Sequence, residues 1–358
     1  MNRKKEVVKY IKICTGLVVL GVCMTACGQK KNQETELTRY TASFLNVFDT
    51  KTDMIGYAKN EEEFSAQAEL VKKELTRYHE LYDIYNSYEG AANIRTINEQ
   101  AGIMPVKVDA EILDLLEMGK EMYAYTGGQV NIAMGSVLGI WHEYREQGID
   151  DPKNAALPSM EALEEAASHT DIEKVIIDRE HSTVYLEDPE MSLDVGGIGK
   201  GYAVQKVAEY AKELGMDRLL LSVGGNISAN AQRIDDTNWV LGIQNPDMDS
   251  DEPYAERVKL ADACVVTSGD YQRYYEVDGV RYCHIIDPDT LMPASYCASV
   301  SIITADSGKA DALSTAVYNM PVEEGRVYVE KLQDVEAMWV LSDGSKIYTD
   351  GFSGYLEG

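Results

Sequence analysis

The sequence has little positive charge. It carries 33 Lys and Arg against 60 Asp and Glu, which gives a formal net charge of −27 at pH 7. Proteins that bind nucleic acid usually show the opposite balance, because Lys and Arg make most of the contacts to the phosphate backbone. The composition therefore argues against nucleic acid as a partner. The acidic excess indicates solubility and does not identify a ligand.

Cysteine is scarce, and its spacing fits neither a disulfide framework nor a zinc site. Of the 6 cysteines, three lie in the first 27 residues. The others, Cys264, Cys283 and Cys297, include no C-x-x-C pair, and three cysteines cannot all pair with one another. We expect these three to be small buried residues.

The N-terminal segment lacks an apolar run long enough for a clear membrane span. Its apolar residues 13–22 are too few for the ~20 that a transmembrane helix needs. Basic residues precede this run, and Cys27 follows it directly after small residues, which resembles a bacterial lipoprotein signal. Lipidation of Cys27 would anchor the chain to the extracytoplasmic face of the cell membrane. An ordinary signal peptide and a membrane anchor are the alternatives. We expect residues 1–26 to be the signal, 27–40 a polar tether and 41–358 one large domain.

The two common glycine-rich phosphate motifs are absent. In residues 194–202 (DVGGIGKGY), Asp194 stands where Walker A needs Gly, and Gly201 stands where it needs Ser or Thr. Val204 occupies the last glycine position of the dinucleotide motif. What is present is a glycine cluster with Lys200 between a strand-like segment and a helical pattern, where free backbone N–H groups suit a phosphate. The alternative is a tight strand-to-helix turn.

Helical and strand-like patterns are interspersed without a strict βαβ alternation, which predicts an α+β fold. Polar loops are expected at residues 85–102 and 143–157, and His79 is expected at the surface of the first helix. The predicted helices cover residues 61–85, a segment capped by Asp109 and ended by the glycines at 127–128, and residues 159–168, 203–214 and 307–319. The predicted strands cover residues 44–50, 175–177, 184–186, 218–223, 239–244, 265–266, 282–286 and 299–304, with two or three more in 334–358.

Two further patterns contain side chains suited to proton transfer and to metal binding. His284 precedes an Asp-Pro pair that fits the start of a type I turn, so it could act as a base near a strand end. Asp311, Ser314 and Thr315 are spaced to share one helix face, and a carboxylate with a hydroxyl suits Mg²⁺. A surface histidine and an ordinary first helical turn are the alternatives.

Six segments, taken in order, resemble the ApbE family, the FAD:protein FMN transferases. The resemblance implies Mg²⁺-dependent transfer of FMN from FAD to a Thr or Ser hydroxyl of an extracytoplasmic acceptor flavoprotein, with release of AMP. The segments are residues 48–50 (FDT), 194–202, 224–226 (GGN), 267–271 (TSGDY), 284–290 (HIIDPDT) and 310–315 (ADALST), which span most of the chain after the signal.

The resemblance also assigns site residues. It implies a metal site at the backbone of Gly197 and the side chains of Asp311 and Thr315, with Ser314 adjacent. His284 would activate the acceptor hydroxyl, so His284 and Asp311 are the expected catalytic residues. The implied FAD contacts are Phe48, Tyr88, Asn131, Ile132, Ala133, Asp194, Lys200 and Ile285.

Two positions depart from the family pattern. Leu291 stands where the family usually has Gly, and Leu would be strained there if the backbone needs a positive φ. Val130 and Asn131 stand where Phe-Asp is frequent, so Asn131 keeps a polar oxygen without the charge.

Three other functions stay open on the sequence. The same site could use water and act as an FAD pyrophosphatase. A flavin-binding lipoprotein without turnover would not need His284, Asp311 and Thr315. A purely structural lipoprotein would leave the clustered motifs unexplained.

Overall fold

The computed structural model describes residues 37–358. The predicted signal, the lipidation site at Cys27 and most of the predicted tether lie outside the described residues. The first strand begins at residue 38, so the folded part starts slightly before the predicted boundary at 41. Within the described part of the chain, no helix is both long enough and apolar enough to cross a membrane.

The chain forms fifteen strands and eight α-helices over residues 37–358. The strands are β1 (Thr38–Val47), β2 (Thr50–Ala58), β3 (Val106–Lys107), β4 (Val175–Asp178), β5 (Thr183–Leu186), β6 (Leu219–Val223), β7 (Asn226–Asn230), β8 (Trp239–Gln244), β9 (Tyr254–Leu260), β10 (Ala263–Gly269), β11 (Tyr274–Val277), β12 (Val280–Cys283), β13 (Ser299–Thr304), β14 (Glu336–Val340) and β15 (Lys346–Tyr348). The helices are α1 (Glu61–Tyr82), α2 (Ile94–Glu99), α3 (Ala110–Tyr125), α4 (Gly135–Asp150), α5 (Met160–Ala167), α6 (Gly199–Glu213), α7 (Ser307–Tyr318) and α8 (Val322–Val329).

An antiparallel sheet of eight strands, in the order β1-β2-β6-β7-β10-β13-β14-β15, organises the fold. Its central strands are buried on both faces, whereas the edge strand β1 is largely exposed. On β10, Cys264 and Val266 face the core formed with the helices, whereas Val265 faces a second core that includes the β8–β9 hairpin. Strand β13 is buried at every position, including its polar residues Ser299, Ser301 and Thr304. The fold is therefore α+β, as the sequence predicts.

Several sequence expectations are wrong in detail. The helix expected at 61–85 ends at Tyr82, and the strand expected at 282–286 ends at Cys283. Residues 44–50 are not one strand, because Phe48 and Asp49 form the β1–β2 turn with φ of 51° and 53°. The expected loop at 85–102 contains α2, which Asn93 and Thr96 begin with a capping box. The expected loop at 143–157 contains the second half of α4. That half is charged because α4 buries only a narrow stripe that ends at Gly148.

Candidate active site

A cavity of about 500 Å³ collects side chains from distant parts of the chain. It opens beside the helix-covered core, and its wall contains the N-terminus of α6 and one face of α7. Most residues singled out from the sequence line it. These are Phe48, Asn131, Ile132, Asp194, Gly197, Lys200, His284, Ile285, Asp311 and Thr315.

The glycine turn brings α6 against α7. The backbone N–H of Gly201 donates to Asp311 Oδ2 at 2.7 Å. A Cβ at Gly201 would collide with the Ser307 carbonyl oxygen and with Asp311 Cβ, so only glycine permits this approach. The turn is therefore closely packed, and the N-terminus of α6 also faces the cavity.

Gly197, Asp311 and Thr315 form an oxygen-rich patch of the cavity wall. A Cβ at Gly197 would lie 3.4 Å from Thr315 Oγ1, so the two residues are adjacent. Burial raises the pKa of Asp311, while the Lys200 charge and the Gly201 N–H oppose that shift. A buried carboxylate beside a hydroxyl and a backbone carbonyl fits a hard cation such as Mg²⁺, with places left for substrate oxygens.

Ser314 does not share that patch. Its hydroxyl is 2.8 Å from Ser268 Oγ and donates to the Asp311 carbonyl oxygen at 2.9 Å. It lies outside the cavity lining, so the sequence expectation that three oxygens share one face holds only for Asp311 and Thr315. Across residues 37–358, no group of three or more His, Cys, Asp and Glu could hold a metal ion. Of Gly197, Asp311 and Thr315, Asp311 alone has a carboxylate, so a cation bound at this patch would have one carboxylate ligand from it.

Lys200 lies on the first turn of α6 and is held by the turn between β6 and β7. Its Nζ donates to the Gly224 carbonyl oxygen at 3.0 Å. Burial lowers the pKa of Lys200, and the nearby Asp311 carboxylate opposes that shift. Gly224, part of the segment 224–226 singled out from the sequence, thus holds the lysine at the cavity.

His284 follows β12 and is held by its backbone. Its N–H donates to the Arg273 carbonyl oxygen at 3.1 Å. Its Nδ1 is buried and has no hydrogen-bond partner within residues 37–358. Burial, followed by the charges of Arg273, Arg145 and Lys200, lowers the pKa of His284 to about 3. The imidazole is therefore neutral near pH 7 and able to accept a proton.

The sequence predicts backbone strain at Leu291 if that position needs a positive φ, and the loop after His284 meets this condition. Leu291 has a φ of 59°, in the region that favours glycine. Its N–H donates to the Asp287 carbonyl oxygen at 2.8 Å, and its carbonyl oxygen accepts from Trp141 Nε1 at 2.9 Å. Packing around the buried Leu291 side chain offsets the unfavourable backbone.

Two of the implied FAD contacts, Tyr88 and Ala133, lie behind the cavity wall. Tyr88 donates from its hydroxyl to Asp83 Oδ2 at 2.7 Å. The Ala133 N–H donates to Asn131 Oδ1 at 2.9 Å, and Asn131 Nδ2 donates to the Thr170 carbonyl oxygen at 2.9 Å. These two residues therefore support the wall and do not line it.

Sequence reasoning missed several lining residues. His79 was expected at the surface, but it is half-buried, lines the cavity and accepts from the Phe48 N–H at 3.3 Å. Tyr85 packs against His142 with ring centroids 4.9 Å apart and ring planes tilted by 34°, and both line the cavity. Arg145 and Arg273 line it as well. Arg273 lies only two residues beyond the TSGDY segment, which was the one available signal for it.

The chain is similar to known flavin transferases in sequence and in structure. Residues 40–339 match the model of the ApbE family. A Treponema pallidum protein named FAD:protein FMN transferase is 36% identical over 267 residues, which cover 70% of this chain and 71% of that protein. A Klebsiella pneumoniae protein with the same name is 28% identical over 279 residues, which cover 78% of this chain and 83% of that one.

Solved structures agree in fold. The crystal structure of the ApbE protein from Thermotoga maritima superimposes with a TM-score of 0.78 at 27% identity, covering 90% of this chain and 100% of that one. The flavin transferase ApbE from Vibrio cholerae gives a TM-score of 0.74 at 22% identity, also covering 90% of this chain and 100% of that one. At 22% identity, the similarity to the Vibrio cholerae protein is a similarity of fold only.

Proposed function

This chain belongs to the ApbE family, and from that premise we propose that it is an FAD:protein FMN transferase. It takes FAD as substrate, transfers FMN to a Thr or Ser hydroxyl of an acceptor flavoprotein, and releases AMP. The observation that carries the proposal is the meeting of a neutral His284, a cationic Lys200 and the Asp311–Thr315 pair in one cavity beside a helix N-terminus. A base, a phosphate-binding cation and a cation-binding carboxylate are the groups that this reaction needs.

The pyrophosphate of FAD is the part of the substrate that this cavity suits best. The N-terminus of α6 faces the cavity with the positive end of the helix dipole, although the Gly199 and Gly201 N–H groups already donate to the Val195 carbonyl oxygen and to Asp311 Oδ2. Lys200, held by the Gly224 carbonyl oxygen, adds a positive charge that burial opposes and the Asp311 carboxylate favours. In a chain with a formal charge of −27, such local cations are required before a doubly charged group can bind.

Gly197, Asp311 and Thr315 would hold Mg²⁺, which supplies charge neutralisation at the phosphate oxygens when it is bound. The Gly201 N–H fixes one carboxylate oxygen of Asp311 and thereby orients the group. Ser314 contributes indirectly by holding Ser268, which lines the cavity.

His284 removes the proton from the acceptor hydroxyl. The hydroxyl oxygen forms a bond to the phosphorus of the FMN half, the P–O bond to the bridging oxygen breaks, and AMP leaves with that oxygen. The proton goes to the imidazole. The pKa of His284 is low in the cavity without substrate, and the negative charge of bound FAD raises it toward a value useful for a base.

We also propose that the chain works at the outer face of the cell membrane. The N-terminal residues resemble a lipoprotein signal, with Cys27 as the lipidated residue. The acceptor would then be an extracytoplasmic flavoprotein that presents a Thr or Ser. Labelling with a radioactive fatty acid tests the anchor, since Cys27→Ser should abolish incorporation.

Release of AMP tests the function. The full chain is incubated in detergent with FAD and Mg²⁺, with and without a candidate acceptor domain, and the products are separated by chromatography. A transferase releases AMP in step with flavin bound to the acceptor. AMP together with free FMN would establish a pyrophosphatase, and intact FAD held by the chain across a panel of acceptors would establish a carrier. His284→Ala should keep FAD binding and lose transfer.

A further inference from the structure

Two arginines of the cavity have no acidic partner, although the chain is rich in carboxylates. Among residues 37–358, every arginine except Arg39, Arg145 and Arg273 has an Asp or Glu oxygen within 4.0 Å. Arg39 is exposed on β1, whereas Arg145 and Arg273 line the cavity. Both guanidinium charges act on His284 and on the buried Asp194 carboxylate, which lies more than 4.0 Å from either arginine, so the two charges share one region of the cavity. Two cations in one region repel each other, and an anion bound between them relieves that repulsion.

Arg145 lies on α4 and is oriented by a neutral group. Its Nη2 donates to His142 Nδ1 at 2.7 Å. Burial and the Arg145 charge lower the pKa of His142, so the imidazole is neutral and accepts this hydrogen bond. A carboxylate in that place would cancel the guanidinium charge, whereas His142 positions the guanidinium and leaves its charge available to a ligand.

Arg273 lies directly across a hairpin from His284. The β11–β12 register pairs Tyr274 with Cys283, so the next residues outward are Arg273 and His284. The His284 N–H donates to the Arg273 carbonyl oxygen at 3.1 Å, which holds the two residues side by side. The charge of Arg273 contributes to the low pKa of His284, in agreement with that proximity.

We propose that Arg145 and Arg273 bind the phosphate oxygens of the dinucleotide substrate, and that Arg273 contacts the phosphoryl group facing His284. This inference rests on the proposed function. The arginines would form a cationic side of the site opposite Lys200 and the Gly197–Asp311–Thr315 patch. A guanidinium can bind two phosphate oxygens at once, so it fixes orientation as well as charge.

Binding of two flavins to the full chain tests the inference. FAD carries the pyrophosphate, and riboflavin has the same ring system without phosphate. Isothermal titration calorimetry, without acceptor, compares the wild-type chain with Arg145→Gln, Arg273→Gln and the control Arg39→Gln. Each cavity variant should raise the Kd for FAD about tenfold, the usual loss for a charged hydrogen bond, and leave riboflavin binding unchanged. Arg39→Gln should change neither.

Equal weakening of FAD and riboflavin would overturn the inference, because it would reflect damage to the cavity. Unchanged FAD binding in both cavity variants would overturn it too. If Arg273→Gln fails to fold, Arg273→Lys replaces it, because lysine keeps the charge. This variant should raise the Kd for FAD by less than tenfold and leave the Kd for riboflavin unchanged. Because no acceptor is present, a selective loss of FAD binding would support the arginine site even if the wild-type chain transferred no FMN.

Discussion

The backbone N–H of Gly201 donates to Asp311 Oδ2 at 2.7 Å and joins the first turn of α6 to α7. One contact thus links the glycine turn, which suits phosphate, to the carboxylate that suits a cation. The contact depends on the missing side chain at Gly201, because the Ser307 carbonyl oxygen and Asp311 Cβ occupy the space that a Cβ would need. The phosphate-binding and metal-binding halves of the proposed site are therefore held together by packing.

Gly201→Ala should damage the fold and the site together. The added methyl group must push α6 away from α7, and overpacking of this kind costs about 1–3 kcal/mol. Urea denaturation measures that loss, and the affinity for Mg²⁺ should fall with it. Gly139→Ala on α4 is the matched control, since a Cβ there meets nothing within 4 Å. Equal stability of the two variants would contradict the role given to Gly201.

Asn131→Asp should destabilise the chain. Asn131 Nδ2 donates to the Thr170 carbonyl oxygen, and a carboxylate cannot donate. The lost hydrogen bond and the repulsion between oxygens should cost about 1–3 kcal/mol, measured by urea denaturation. Asn238→Asp is the control, because the Asn238 side chain accepts a hydrogen bond from Gln232 and an Asp can do the same.

In most folded segments an alanine variant is more stable than a glycine variant, and at Leu291 this order should be reversed. Both substitutions remove a buried side chain, which costs about 2–5 kcal/mol. At a φ of 59°, however, glycine is favoured over alanine by about 1 kcal/mol. Leu291→Gly should therefore be the more stable variant in thermal unfolding. Leu70 is exposed on α1 and serves as the control, where Leu70→Ala should be more stable than Leu70→Gly. If the alanine variant is the more stable one at both positions, the backbone at Leu291 is not strained.

The sequence predicted the α+β class, most of the helices and strands, and most of the residues that meet in the cavity, because short local patterns contain them. Strand β13 is an unbroken buried run, and α1 has a regular apolar stripe. Lys200, His284 and Asp311 each lie within a segment that resembles the family. Their meeting in one cavity follows from long-range packing, which the segments do not encode individually.

The missed residues lack such local signals. Arg145 lies on α4, whose buried positions are too few to reveal a helix among charged residues. Arg273 faces the site because a hairpin places it opposite His284, and that register is not visible in the residues around it. His79 lies beside the apolar stripe of α1, where the sequence of the helix alone predicts a surface residue. The β1–β2 turn at Phe48 packs against it and makes it part of the cavity wall.

The pKa of His284 should make the stability depend on pH. Its folded value is about 3 against an ordinary value of 6.5, so between these values the unfolded chain binds a proton that the folded chain does not. Stability contributed by the neutral imidazole is full above pH 6.5 and is lost as the pH falls toward 3.

His284→Asn should therefore lose less stability than the wild-type chain when the pH falls from 7 to about 4. Urea midpoints of the two proteins, measured at several pH values in that range, give the comparison. His142 titrates in both proteins, so only the difference between the two curves belongs to His284. Parallel curves would mean that the imidazole has an ordinary pKa.

The mass of the acceptor protein tests the central claim most directly. The full chain, FAD, Mg²⁺ and an acceptor flavoprotein domain are incubated, and the acceptor is weighed by intact-protein mass spectrometry. The proposed function predicts a gain of one FMN phosphoester that disappears with EDTA, with Asp311→Asn, and when the acceptor Thr is changed to Val. An acceptor of unchanged mass, with FAD consumed to free FMN and AMP, would contradict transfer and leave hydrolysis as the activity.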